Sequence, residues 1–219
     1  MSGTDLREVR EELVTFARRA ADRGLNVGTA GNFSLRIGRS MAITPSAVPY
    51  ERMRPDEICL VRISDGELEP GLGRPSTEVP MHRAVYDAYD AGAVVHTHSP
   101  FVVAASCVLD SLPAVHYAMW RLGGPVRIVS YARFGTDQLA QEAVGGLQGR
   151  TAVILQNHGA LTYGTSLAQA YERAVLLEWL AQVYWYAHAL GEPRLLDERQ
   201  LAEVRDANRG DLVGEGRVS

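Results

Sequence analysis

The sequence predicts an α/β fold, a three-layer αβα arrangement in which helices cover both faces of a central mixed sheet. Three observations carry that reading. The first half holds short strand-like runs separated by turn residues. From Pro75 onward, apolar strand-like runs alternate with segments of helical periodicity. Two of those apolar runs end abruptly in histidine, as buried strands do when they deliver side chains to a site at their ends.

Thr4 or Asp5 caps the first helix, whose apolar positions Leu6, Val9, Leu13, Phe16 and Ala20 recur at helical spacing until Gly24 stops it. Strand patterns follow over 33–37 and 41–44, on either side of a Gly38-Arg39-Ser40 turn. Another covers 58–63, before the Ser64-Asp65-Gly66 turn, so this half reads as hairpins. A helix is expected over about 76–90, then a strand ending at His96. Ser99-Pro100 opens the next helix, since proline at the first turn lacks only an N–H that would have no helical partner. A strand over 126–130, a helix from about Thr136 and a strand ending near His158 continue the alternation. A long helix over about 166–190 then places Leu167, Ala170, Tyr171, Ala174, Leu177 and Ala181 on one face. A short helix around 197–208 precedes a Gly-rich stretch, which gives one domain over 1–208 and a flexible tail over 209–219. The Arg209-Gly210-Asp211 tripeptide in that tail is read as chance.

With 219 residues and 46% hydrophobic content, the chain suits one compact unit, burying around 70% of its unfolded surface. A net charge of −4, a pI near 5.9 and the lack of any basic block argue against a nucleic-acid or membrane-surface binder. Small polar molecules are the expected partners. No apolar run reaches the roughly 18 residues of a spanning helix, and the N-terminus lacks the apolar core of a secretory signal, so a cytoplasmic location is expected. Cys59 and Cys107 both sit in apolar settings and are read as buried small hydrophobes.

The chemistry is written in histidines. His96 and His98 are two apart at the end of a strand, so both point to one face and can converge on one metal, and His158 ends a second apolar run. Three neutral imidazoles leave Zn²⁺ its full charge and an open position, the arrangement of catalytic zinc, although another divalent ion is possible. The 22 basic residues are all arginine. Without lysine, Schiff-base chemistry is excluded, and a Lewis-acid metal is the natural way to stabilise a carbanion beside a carbonyl. Glu78, at the start of the helix before the first histidine strand, is a candidate ligand or acid/base, and His82 one turn later suits packing or a supporting hydrogen bond. Without lysine, phosphate recognition falls to backbone N–H groups, hydroxyls and amides. Gly28-Thr-Ala-Gly-Asn-Phe-Ser, Thr44-Pro-Ser-Ala and Pro75-Ser-Thr supply these, although each segment alone is an ordinary turn or cap.

Taken together, seven segments resemble the class II aldolase/adducin family. They are Gly24-Leu-Asn-Val-Gly-Thr-Ala-Gly-Asn-Phe-Ser, Ile43-Thr-Pro-Ser-Ala-Val-Pro-Tyr-Glu, Pro75-Ser-Thr-Glu, Val94-Val-His-Thr-His, Val115-His-Tyr, Tyr131-Ala-Arg-Phe-Gly-Thr and Gln156-Asn-His-Gly. The resemblance implies a largely antiparallel sheet, with His96, His98 and His158 as zinc ligands. It implies that Glu78 is a fourth ligand and the proton-transfer residue, and that phosphate lies against Asn32, Ser46, Ala47, Ser76 and Thr77. Phe134 would line the aldehyde pocket, and Tyr117 would reach a neighbour's site in a C4 homotetramer with sites at subunit interfaces. Ala47 and Thr77 stand where the family usually has glycine and serine. The implied activity is reversible cleavage of a ketose 1-phosphate to dihydroxyacetone phosphate and a short aldehyde such as L-lactaldehyde, through a metal-stabilised enediolate. The family also contains 4-epimerases of L-ribulose 5-phosphate, decarboxylases, dehydratases and a non-catalytic interaction module. Ser76-Thr77-Glu78 and Tyr117 favour aldol cleavage, and the presence of Glu78 with all three histidines argues against the non-catalytic module.

Overall fold

In a computed structural model, which describes residues 5–71 and 73–208, eight strands form one sheet in the order β3-β2-β1-β4-β8-β7-β6-β5. The strands are β1 Asn32–Ile37, β2 Ser40–Ile43, β3 Cys59–Arg62, β4 Ala93–Thr97, β5 Ser111–Leu112, β6 Val126–Val129, β7 Ala152–Leu155 and β8 Gly159–Gly164. Only β6 and β7 pair in parallel; every other neighbour is antiparallel. The sheet is therefore mixed and mostly antiparallel, as expected.

The two-residue period of the strands divides the core between the faces. Met41, Ile43, Val61, Val94, Val153, Leu155 and Leu161 pack under α2 (Val79–Ala88) and α4 (Asp137–Gly146), meeting Met81, Val85, Leu139 and Ala143. Their alternates Phe33, Ala42, Ala93 and Val95 face α1 (Leu6–Asp22) and the first half of α5 (Leu167–Leu190). Ala152, Ile154 and Ala160 meet α3 (Pro100–Ser106), the second half of α5 and Leu201 of α6 (Glu198–Ala207). Each fully buried Val or Leu side chain contributes about 1.5–3 kcal/mol. Both faces are covered, which is the three-layer arrangement read from the sequence. All six residues assigned to the inner face of α5 are buried.

Two expectations are corrected, and one strand lies where none is expected. The run after His158, to which the sequence assigns no element, is β8, the strand that pairs with both β4 and β7. Gly-Ala-Leu-Thr-Tyr-Gly, with a glycine at each end, lacks the long β-branched run that announces a strand. With β8 between β4 and β7, β4 has antiparallel neighbours on both sides. The helix expected from Ser76 begins at Val79, which leaves Ser76 and Thr77 in the loop and Glu78 at the N-cap. Cys107 is exposed, because α3 ends at Ser106 and the thiol lies beyond it; Cys59 is buried as expected. Asp5 is the N-cap of α1, and its side chain accepts a hydrogen bond from the Arg7 N–H; Thr4 and the tail over 209–219 lie outside the described residues.

Candidate metal centre and active site

Three strand ends bring the histidines together. His96 lies in β4 and His98 just past it, on the same face, with the main-chain N–H of His98 held by Asn26 Oδ1 at 3.0 Å. His158 stands in the turn between β7 and β8. Asn157 just before it has φ +55°, a left-handed conformation that asparagine tolerates better than most residues. Because β8 pairs with β4 in the register Thr97↔Ala160, that turn is delivered beside the end of β4. Gly159 makes the approach possible, since a Cβ there would lie 2.3 Å from the Thr97 carbonyl oxygen and 3.3 Å from the His96 and His98 rings.

The three imidazole centroids are 4.7, 4.8 and 4.9 Å apart, a nearly equilateral triangle. Glu78 closes it from the N-cap of α2, with Oε2 3.0 Å from His96 Nε2 and Oε1 3.4 Å from His158 Nε2. One ligand atom from each of the four residues falls within 4.8 Å of every other, so the group could hold a metal ion. The second contact does not have hydrogen-bond geometry, and Glu78 Oε1 is left as a buried oxygen with no donor. A carboxylate oxygen without a donor, facing imidazole nitrogens, is what a cation-binding site looks like before a cation enters.

Electrostatics point the same way. Burial, reinforced by the charge on His96, pushes His98 down to about 3 and His158 down to about 4, so both are neutral lone-pair donors near pH 7. Burial also opposes charge on His96, but the Glu78 carboxylate outweighs it and raises the imidazole above its ordinary value. For Glu78 too, burial alone would raise the pKa. The charge and hydrogen bond of His96 and the hydrogen bond from Asn32 outweigh it, so the carboxyl is lowered and ionised. His96 Nδ1 faces the Ala160 carbonyl at 2.9 Å, which fixes the ring and turns Nε2 toward Glu78 and His98.

Below about pH 6.5 these shifts make the cluster a carboxylate–imidazolium pair with two neutral imidazoles, so a divalent ion entering it would displace the His96 proton. Release of one proton per ion is expected between about pH 4, where His158 becomes neutral, and pH 6.5, above which His96 titrates. In that window metal affinity rises with pH by about tenfold per unit. Calorimetric titration in buffers of differing ionisation enthalpy reads the proton directly.

The polar loops expected to take phosphate surround the same cluster. A cavity of about 300 Å³ is lined by Asn32, Ser46, Ala47, Ser76, Thr77, Glu78, His98, Phe134 and His158, together with the 29–31 loop and Pro45. That volume suits a small polar metabolite. A larger groove of about 750 Å³ between α1 and α5, lined by Phe16 and Trp179, contains none of the histidine cluster. The Ser46 N–H donates to the Arg74 carbonyl at 2.8 Å and ties two of the loops together, while Ser76 Oγ accepts from the Glu78 N–H. Ala47 has φ +58°, which explains in backbone terms why glycine is usual at this position. Phe134 is 55% exposed at the rim.

Tyr117 is the exception among the sequence-derived residues. It is 55% exposed, lies in a short 3₁₀ helix (Tyr117–Leu122) and does not line this chain's own cavity. Two contributors escaped sequence reasoning. Asn26 lies under Gly31, where a Cβ would come within 2.3 Å of the amide oxygen. Buried Tyr50 donates to the Ala30 and Gly31 carbonyls and shapes the cavity wall. Nothing in their local patterns, a polar residue after a helix and a tyrosine after proline, separates either from ordinary loop residues.

Comparison with known proteins supplies the class. A family model described as the Class II Aldolase and Adducin N-terminal domain matches residues 11–185. The chain belongs to the class II aldolase/adducin family, whose aldolases are metal-dependent lyases, and it is a class II aldolase. It is 38% identical over 198 residues to the 5-methylthioribulose-1-phosphate/5-deoxyribulose-1-phosphate aldolase of Rhodospirillum rubrum, covering 90% of this chain and 89% of that one. It is also 38% identical over 184 residues to the L-fuculose phosphate aldolase of Escherichia coli, covering 83% and 85%. A solved structure of L-fuculose 1-phosphate aldolase superposes with a TM-score of 0.88 at 31% identity, covering 92% of this chain and 96% of that one. These relatives imply a small phosphorylated sugar as substrate. Among the described residues, no helix is long and apolar enough to cross a membrane.

Proposed function

We propose that the enzyme cleaves a deoxyketose 1-phosphate reversibly into dihydroxyacetone phosphate and a short aldehyde. His96, His98 and His158 hold a zinc ion, and Glu78 is its fourth ligand in the substrate-free site. One observation carries this reading: Glu78, His98 and His158 of a His₃Glu cluster line a single cavity with three lysine-free polar loops, and His96 completes the cluster from beneath. Three imidazoles and one carboxylate suit zinc better than the harder divalent ions.

The bound ion supplies Lewis-acid stabilisation for negative charge developing on the substrate oxygens as the C3–C4 bond breaks. The chain's own groups do the rest. Asn32, Ser46, the Ala47 main chain, Ser76 and Thr77 take the phosphate, with the N-terminus of α2 behind them. Glu78, protonated from solvent once substrate has displaced it from the ion, would give its proton to C3 in cleavage, and as the carboxylate it would remove that proton from dihydroxyacetone phosphate in the reverse direction. Tyr117 receives the C4 hydroxyl proton at a neighbouring subunit's site, in a C4 homotetramer. Its exposure and its absence from its own chain's cavity support that placement.

Phe134 gives the aldehyde end an apolar wall, suited to a substrate that terminates in a methyl group. L-Fuculose 1-phosphate and 5-deoxyribulose 1-phosphate both do. Release of dihydroxyacetone phosphate from these two and from L-rhamnulose 1-phosphate, with and without chelator, tests the reading. Chelator-sensitive cleavage of at least one supports it. Failure to cleave any of them by enzyme with metal bound would overturn it in favour of epimerase or decarboxylase relatives.

A further inference from the structure

Behind Glu78 runs a buried chain of hydrogen bonds whose far members, His82, Ser34 and Tyr86, have no part in the proposed reaction. Asn32 Nδ2 lies 2.8 Å from Glu78 Oε2, and Asn32 Oδ1 lies 2.6 Å from His82 Nε2. His82 Nδ1 lies 2.7 Å from Ser34 Oγ, which in turn lies 2.8 Å from the Tyr86 hydroxyl. All five residues are buried. Backbone periods make the match. Asn32 and Ser34 are two apart on one face of β1 and span about 6.7 Å. His82 and Tyr86 are four apart on one face of α2 and span about 6 Å.

The direction of every bond is determined from one end. An ionised carboxylate only accepts, so Asn32 presents its amide nitrogen to Glu78 and its oxygen to His82. His82 therefore donates from Nε2–H and accepts at Nδ1, which makes Ser34 a donor to the ring and Tyr86 the donor to Ser34. Four donors in series point toward Glu78 Oε2, whereas Oε1 has no donor at all. Burial, with the charge of His96, pushes His82 down to about 3, consistent with a neutral ring in a single tautomer.

We propose that His82 is a positioning residue for Glu78. By holding the oxygen of the Asn32 amide it anchors that amide from the far side, and so fixes Oε2 and leaves Oε1 as the free oxygen of the site. Ser34 and Tyr86 hold His82 in turn. Without His82 the Asn32 oxygen loses its donor, and the amide, held by the carboxylate alone, is free to tilt and release Oε2 from its fixed position. The inference rests on the reading of Glu78 as the proton-transfer group for its effect on rate, but the chain of bonds is testable without it.

Two measurements decide it. Nitrogen-15 NMR of the unmodified protein, metal-free and zinc-loaded, is expected to show His82 neutral and protonated at Nε2 only. An Nδ1–H tautomer or an imidazolium at neutral pH would overturn the inference whether or not the enzyme is an aldolase. In steady-state assays, His82→Phe is expected to keep its zinc content but lose ten- to hundredfold in kcat. His82→Gln, which restores a donor toward Asn32, is expected to recover to within about fivefold of the parent. Should His82→Phe fail to fold, Ser34→Ala removes one link with little change in volume and is expected to lower kcat about three- to tenfold. An active parent whose folded His82→Phe or Ser34→Ala variant keeps full kcat would contradict the positioning role. An inactive parent would instead sink the functional reading and leave the tautomer to decide the chain of bonds.

Discussion

Replacing His96 with alanine is expected to abolish both metal retention and aldol cleavage, with kcat/KM falling by about three orders of magnitude or more. His96 is the hub of the site. Its ring is fully buried, faces the Ala160 carbonyl through Nδ1, and presents Nε2 within 3.0 Å of both Glu78 and His98. Removing it takes away one of three imidazoles and leaves Glu78 ionised and buried without its main counter-charge. Loss of stability in the metal-free variant is therefore expected as well, on the order of 3–5 kcal/mol for a broken buried pair. Metal analysis after gel filtration, with denaturant unfolding of the metal-free protein, checks both effects. Retention of metal and activity would remove His96 from the proposed ligand set.

Glu78→Gln separates binding from chemistry. The amide has nearly the same shape, and the three imidazoles remain, so metal is expected to stay bound. Turnover is expected to drop by about 10²–10⁴, because an amide cannot accept the C3 proton. The two variants thus give different signatures, one losing metal and rate together and the other losing rate alone. Metal content measured beside initial rates distinguishes them, and a fully active Glu78→Gln enzyme would end the assignment of proton transfer to this residue.

The sequence was most informative where one local rule operates. The period of two at His96-Thr97-His98 placed both rings on one face, and the helical period of 167–181 identified the buried side of α5. Proline after Ser99 marked the start of α3. It was least informative where distant segments decide the outcome. β8 becomes a strand because β4 and β7 flank it, a partnership its six residues do not encode locally. The glycine at 159 looks like turn chemistry, yet its cause is the Thr97 carbonyl 62 positions earlier. His82 was recognisable as one turn beyond Glu78, but its partners Asn32 and Ser34 come from a strand nearly fifty residues away. Asn26 and Tyr50 are invisible for the same reason, since each acts on a loop backbone that folds over it.

The absence of lysine gives the site a consistent logic. No lysine is present to form an iminium with the ketose or to pair with its phosphate. In the proposed reading the first role passes to a metal held by neutral imidazoles. In the same reading the second passes to hydroxyls, amides and a helix N-terminus whose partial charges are fixed by the fold.

Hydrogen exchange on dihydroxyacetone phosphate tests the central claim most directly, because it requires no knowledge of the aldehyde. In D₂O, without any aldehyde, the zinc-loaded enzyme is expected to place one deuterium stereospecifically at C3 of dihydroxyacetone phosphate, read by proton NMR. Exchange is expected to stop on addition of chelator and to be lost in Glu78→Gln. No exchange by metal-loaded enzyme, or exchange that survives in Glu78→Gln, would contradict proton transfer by Glu78 at a metal-assisted aldolase centre.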